Sequence, residues 1–491
     1  MKNTRVRMVE KEKKKYWFTE EKNKKIIVYS AAVLVILSWI PMALTKSLAY
    51  DQAYTLAMVR HSFSDIIRLC SMDVHSPLYY FIAKIFYHLF FNSISGLKFC
   101  SLFFMALYFY MLAVPFCKEF GCRMAFCMIV LSGSLGTFLT HNTEPRMYTM
   151  AIASFSALCL TAYKLQKKFK IKYAVIFFLL SVFCTYIHTY TMLATVLLYL
   201  IFAVYIFIKK EERKQRIVFF LINSAAVSLL YLPWLFSLLS QFGKKAEGLE
   251  GEYDVLFYIK DILYENFSSI MYPKNYQVII WLAILLTAFI ILVIKKGPYI
   301  YQSLAGLCIF VLVSFIGIFL SVKNSPCFMG RYVTCITPFI LFGISSALDH
   351  LKKRVFVLII LLMGCMAGIL VYRDRINYEF DKGIDKYLEF AGENFDEDDA
   401  LLYVDIHTDA LSVYLPEAYS FIYGHKDDFN PYENNEIFTD VSQFDKIKGD
   451  VYLICYDNKN PDWFLNCEYE KTYGFHYLYY DVSIYRVFDF K

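Results

Sequence analysis

Ionisable side chains are scarce in the apolar stretches of this 491-residue chain. The middles of its long hydrophobic runs hold almost no Asp, Glu, Lys or Arg. Transporters usually place ionisable residues and broken helices near the bilayer midplane, often within internal repeats. The chain shows neither charged midplanes nor a visible repeat, so a transporter or flippase of a lipid-linked glycan is the alternative reading, not the first. A scaffold that binds a partner through its acidic end comes after both. Metal-ligand spacing is also missing. The 13 cysteines fall mostly in apolar runs, where a thiol behaves as a small hydrophobe. Cys455 and Cys467 flank a loop and either pair in an oxidising space or stay as two thiols. No cleavable signal peptide is visible. A basic tail, "KEKKK" and "KNKK", runs straight into a full-length apolar span, which is expected to be retained as a first helix.

What is present is membrane-protein composition. Hydrophobic residues make up 58% and aromatic residues 19%, with mean hydropathy +0.43, against roughly 45–50% apolar residues in a soluble domain. Runs such as "IIVYSAAVLVILSWIPMAL" (Ile26 to Leu44) and "VIIWLAILLTAFIILVI" (Val278 to Ile294) reach the ~17–25 residues that cross a bilayer. Charge is divided unevenly. Residues 1–372 hold 39 Lys+Arg and 18 Asp+Glu, whereas residues 373–491 hold 11 and 26 and no membrane-length run. That acidic end reads as a water-soluble domain. The alternation of "ALLYVDI", "DVYLICY" and "VSIYRVF" with polar helix-like stretches predicts a small α/β unit.

Short loops rich in Lys and Arg stay in the cytoplasm. Spans near 26–44, 97–116, 123–140, 149–163, 172–188, 190–208, 217–239, 277–294, 299–321, 332–349 and 355–372 put every basic loop on one side. The pattern holds only if "LYYFIAKIFYHLFF" (Leu78 to Phe91) does not cross. That stretch is short and carries Lys84 and His88, so it is expected to lie in the interface. The expected organisation is a cytoplasmic basic tail at 1–25, a transmembrane domain of about 11 helices at 26–372, and an extracytoplasmic α/β domain at 373–491. The N-terminus is then cytoplasmic in a multi-pass protein of the cell membrane.

This threading gathers Asp51, Asp73, His75, Glu144, Arg146, His188 and Arg331 at the extracytoplasmic face, although up to 280 positions separate them. Each has a plain explanation alone. Aspartates after a span are often solvated, arginines snorkel to headgroups, and Pro77 suits a bend or helix start. Their shared face argues against so many independent explanations. Guanidinium binds phosphate oxygens through paired donors and keeps its charge beside lipid. A neighbouring carboxylate can orient or deprotonate a hydroxyl. Glu144, two residues before Arg146, either pairs with it or contacts an acceptor.

These residues also form a recognisable order: "DQ" (Asp51, Gln52), "DVHSPLYY" (Asp73 to Tyr80), "NTEPRMY" (Asn142 to Tyr148), "YIHTY" (Tyr186 to Tyr190) and "GRYVTCITP" (Gly330 to Pro338). Over residues 25–350 the chain resembles the bacterial glycosyltransferase family 39-like proteins of the GT-C fold, relatives of protein O-mannosyltransferases and of the lipid A aminoarabinose transferase. The resemblance implies a polytopic GT-C membrane enzyme. It would move a sugar, most often mannose, from a polyprenyl-phosphate donor to a hydroxyl acceptor on a glycan, lipid or protein, with inversion. It implies Asp51 as the catalytic aspartate and Arg146 and Arg331 as binders of the donor phosphate. Asp73, His75, Glu144, Tyr148, His188 and Tyr332 would line the cavity. Gln52 and Ser76 depart from the glutamate and proline usual at those places. Some relatives bind a divalent metal, but His75 and His188 without a third ligand make a poor zinc site, so no metal is assigned. Neither a nucleotide sugar nor a nucleic acid is implied as a partner.

Overall fold

The computed structural model describes residues 21–209, 211–241, 253–269, 273–295, 297, 299–324, 326–351, 353–423, 429–432, 435–456, 464, 467–478 and 480–489. The chain begins with α1 (Glu21–Ala43). A layer of three short helices follows, α2 (Tyr50–Arg60), α3 (Phe63–Met72) and α4 (Leu78–Leu89). The stretch expected to lie in the interface is thus the third of three helices. At 12 residues, α4 spans about 18 Å, well short of the ~30 Å hydrocarbon core.

A bundle comes next. α5 (Ile94–Met111) continues through a π turn, Leu112–Phe116, into α6 (Cys117–Phe120). Pro115 in that turn has no N–H to offer, and the π turn absorbs the missing bond. The bundle is completed by α7 (Cys122–Ser132), α8 (Gly136–His141), α9 (Tyr148–Lys167), α10 (Ile171–Ile187), α11 (Thr189–Ile208) and α12 (Arg213–Gln241). After α13 (Val255–Phe267) come α14 (Asn275–Lys295), α15 (Ile300–Lys323), a 3-10 turn at Gly330–Ile336 leading into α16 (Thr337–Asp349), and α17 (Arg354–Glu379). Among the described residues, eight helical segments are long and apolar enough to cross a membrane: α1, α5 with α6, α11, α12, α14, α15, the 3-10 turn with α16, and the segment starting at α17. Large apolar side chains such as Leu34, Leu221, Leu286 and Phe315 are exposed on their outside, as lipid-facing helices require. α7 and α10 are apolar but shorter. The expected span at 123–140 is broken into α7 and α8.

The basic loops meet each other at one end of the bundle. Arg123 donates to the Leu348 and Leu351 carbonyls at 3.0 and 2.8 Å. Lys167 pairs with Glu119 at 3.0 Å, and Arg216 reaches the Leu165 carbonyl at 2.5 Å.

At the other end stands a sheet domain. After α18 (Gly383–Asn394), strands β1 (Ala400–Tyr403), β2 (Tyr419–Tyr423), β3 (Asn435–Phe438), β4 (Val451–Tyr456), β5 (Glu468–Tyr477) and β6 (Tyr480–Asp489) form a sheet of order β3-β2-β1-β4-β6-β5, with α19 (Ile406–Ser412) after β1. The first four strands run parallel and the β5–β6 hairpin is antiparallel. Side chains alternate between faces, as strand geometry dictates. Ala400, Leu402 and Leu453 pack one face. Leu401, Tyr403, Ile454 and Ile484 belong to the same apolar cluster as the bundle. Phe475, Tyr477 and Tyr485 are buried and pack the core of this domain. Cys455 and Cys467 form no disulfide with each other.

The domain is tied down from below. Tyr414 Oη donates to the Lys46 carbonyl at 2.8 Å, and Arg60 donates to the Val413 carbonyl at 3.0 Å. Lys98 of α5, fully buried, pairs with Glu379 at the end of α17 at 2.5 Å, and Arg375 pairs with the same carboxylate. Thr45 Oγ1 donates to that carboxylate too, at 2.7 Å, fixing the chain just before α2.

Candidate active site

Asp51 is the second residue of α2, and Arg331 is the second residue of the 3-10 turn before α16. Their side chains form an ion pair, Nη1 to Oδ2, at 2.6 Å. Each keeps an opening: Asp51 is 24% exposed and Arg331 19%. Arg146 approaches from the loop between α8 and α9. Its Nη1 donates to the Asp51 carbonyl at 3.1 Å and to Tyr80 Oη at 3.5 Å. Its Nη2 meets His75 Nε2 at 2.7 Å. Because a guanidinium only donates, His75 presents a lone pair on Nε2 and its proton on Nδ1, which lies 2.5 Å from Asp73. Tyr54 Oη donates to the same Asp73 oxygen at 2.8 Å. Asp73, His75 and Arg146 thus form a relay that orients the guanidinium towards Asp51.

Local sequence explains how these groups are held. A Cβ at Gly136, the first residue of α8, would run into the backbone of Ser268. Glycine therefore lets α8 lie against the end of α13 and carry the 141–147 loop inward. At Gly330 a Cβ would come within 2.6 Å of the Asp261 carbonyl oxygen. There α13 clamps the turn directly: Asp261 accepts from the Gly330 N–H at 2.6 Å, and Asn266 donates to the Gly330 carbonyl at 3.0 Å.

Electrostatics follow from this crowding. Burial works against a charge on Asp51, but the Arg331 and Arg146 guanidiniums outweigh it and hold the carboxyl at about 2. Burial opposes Asp73 likewise, and the bonded His75 brings it to about 2. His188, the residue joining α10 to α11, is pushed down to about 3 by burial and by the Arg146 and Arg331 guanidiniums. It therefore stays neutral and accepts from the Tyr190 N–H at 3.3 Å. His188, Tyr190, Tyr332 and Tyr148 make an aromatic wall, with ring centroids 4.8 Å apart for His188–Tyr332 and 6.4 Å for His188–Tyr148. Arg331 lies 6.0 Å above the Tyr148 ring. Several donors point inward: Arg146 Nε, Arg331 Nε and Tyr148 Oη are buried without a hydrogen-bond partner among the described residues.

All nine residues singled out from sequence thus stand close to one another. Glu144 does not pair with Arg146. Its side chain bonds His141 Nδ1, three residues back at the end of α8, and Arg146 turns away to Asp51 and His75. Tyr54, Tyr80, His141 and Asp261 were not singled out. Tyr54 lies three residues after Asp51, one helical turn on the same face, and that spacing was the available signal. Glu265 and Asn266 lie on α13, while 242–252 lie outside the described residues.

A divalent metal does not suit this donor set. Both nitrogens of His75 are engaged, one by a guanidinium, and among the described residues no group of three His, Cys, Asp or Glu could hold an ion.

No protein-family model matches the chain, and no curated protein sequence does. Solved structures do. ArnT from Cupriavidus metallidurans in the apo state superposes with TM-score 0.66 at 11% identity, over 93% of this chain and 97% of that one. The same protein bound to undecaprenyl phosphate superposes with TM-score 0.62 at the same identity and coverage. The fold is that of the GT-C glycosyltransferases. At 93% of this chain, the superposition takes in both the helical bundle and the sheet domain.

Proposed function

We propose that the protein is a membrane glycosyltransferase that moves a single sugar from a polyprenyl-phosphate donor to a hydroxyl acceptor. The observation that carries this reading is the Asp51–Arg331 ion pair with Arg146 beside it, at the membrane edge of this fold. That one ArnT structure holds undecaprenyl phosphate supports a lipid phosphate as the donor group here. Arg331 and Arg146 would bind the phosphate through their spare N–H groups and stabilise the charge that grows on it as the glycosidic bond breaks. A phosphate leaves readily as an anion, so no strong general acid is needed.

Asp51, at about 2, is a weak base while paired. It would hold the acceptor hydroxyl in line with the anomeric carbon and take its proton late, once bond formation has made that proton acidic. A phosphate arriving at Arg331 competes for the guanidinium and loosens its grip on Asp51, which makes the carboxylate more basic when the donor is seated. One displacement gives inversion. The sugar is a hexose such as mannose, and the acceptor a glycan, lipid or protein hydroxyl. In this reading the site and the sheet domain face the extracytoplasmic space, and the end where the basic loops meet faces the cytoplasm.

The test is an assay of purified protein with polyprenyl-phosphate mannose and mixed envelope acceptors. Release of polyprenyl phosphate coupled to transfer supports the enzyme. Movement of the intact lipid-linked sugar across a vesicle without release would favour a flippase instead.

A further inference from the structure

Glu265 lies four residues after Asp261 on α13, one turn along the same face of the helix. Asp261 is bonded to the turn that carries Arg331, so this face looks into the site. Glu265 Oε2 is sealed from solvent and has no hydrogen-bond partner among the described residues. The charges facing it explain why. Arg331, from the 3-10 turn, is already paired with Asp51 of α2. Glu144, from the loop after α8, is bonded to His141. Asp261 stands beside it on its own helix. α14 and α15 also pack against α13, but their titratable residues Tyr276, Lys295, Tyr301, Cys308 and Lys323 are exposed on the outside. A fourth carboxylate charge in this pocket would have no cation of its own. Burial, against the pull of Arg331 and with the push of Asp261, Glu144 and Asp51, raises Glu265 to about 8.

We propose that Glu265 acts as a neutral carboxylic acid whose O–H donates to a non-bridging oxygen of the lipid phosphate held at Arg331. This rests on the reading of the site as a phosphate-binding one. It adds a group that recognises a phosphate ester as a hydrogen-bond acceptor and repels it once ionised. No other change of bonding is involved: the proton stays on Glu265 throughout.

The test is binding of undecaprenyl phosphate to the full-length protein in detergent between pH 7 and 9.5. Over that range the probe is already largely dianionic, because its second ionisation falls near 6. The wild type is expected to lose about tenfold in affinity as pH rises through about 8. Glu265→Gln keeps an N–H donor of the same shape that cannot ionise, so it should bind as tightly as wild type at pH 7 and show no alkaline fall. Glu265→Ala should bind about tenfold more weakly at pH 7, with no fall. A wild-type affinity independent of pH, or an alkaline fall retained in Glu265→Gln, would overturn the proposal and leave the phosphate reading standing. Absence of wild-type binding at every pH would overturn both.

Discussion

The molecule holds two clusters of opposite charge built from similar side chains. In one, Lys98 and Glu379 are fully buried and Arg375 nearly so, joining α5, α17 and the segment before α2. In the other, Asp51 and Arg331 are 24% and 19% exposed. Both lie towards the same end of the bundle, yet only one is open to solvent. The sealed cluster spends its bonds on its own chain and fixes where the loop, the bundle and the sheet domain meet. The open one keeps its ion pair within reach of a ligand, which recognition of an anion requires. A charged residue near a membrane surface is thus no guide to function by itself; the accessibility of its partner is.

Changes at each cluster should separate these roles. The largest effect is expected from Asp51→Asn, which preserves shape but removes the acceptor-holding charge. Transfer should fall roughly 10²–10⁴-fold in a protein of unchanged thermal stability, and near-normal turnover would remove Asp51 from the chemistry. Next comes Glu379→Ala, which strands Lys98 in the interior. Stability should drop by about 3–5 kcal/mol, read as loss of folded protein on heating, while the triple change Lys98→Met, Arg375→Met and Glu379→Met should be far milder. If Glu379→Ala instead abolished donor binding at full stability, the division between sealed and open clusters would collapse.

Arg331→Gln is expected to weaken donor use roughly 10- to 100-fold and to leave burial as the main influence on Asp51. The carboxyl would then rise from about 2 towards or above its usual 3.8. A depressed carboxyl stays ionised as acid is added, so the wild type should hold its activity well into the acid range. The variant should lose activity at higher pH, visible in a rate profile from pH 3.5 to 6. The smallest effect belongs to His188→Gln. A histidine at about 3 is already neutral at working pH, so a few-fold change in rate with an unshifted pH profile is expected.

Membrane threading made much of this legible in the sequence. Asp51 and Arg331 could be brought together because basic loops mark one side and hydropathy marks the crossings. Partners were harder to read. Glu144 and Arg146 are two residues apart and of opposite sign, yet the turn between α8 and α9 points them apart, and His141 takes the carboxylate. The single interfacial helix at 78–91 is one of three because α2 and α3 are not apolar enough to stand out as runs. α2 is buried between α4 and α19 of the sheet domain, and α3 buries one face, Ile66, Leu69 and Cys70. Lys98 looked like the flank of a span, since nothing nearby in sequence announces Glu379, 281 positions on. What α13 holds is hard to read, because the turn that Asp261 and Asn266 clamp lies more than 60 residues later.

One face of the C-terminal sheet runs into the interior of the bundle without a break: Leu401, Tyr403, Ile454 and Ile484 share one oily continuum with the helices beneath. A fragment cut free near residue 380 would therefore carry a greasy underside into water and should clump when expressed alone. Anyone crystallising or immunising with the tail in isolation will need to give that surface a substitute for the floor it has lost.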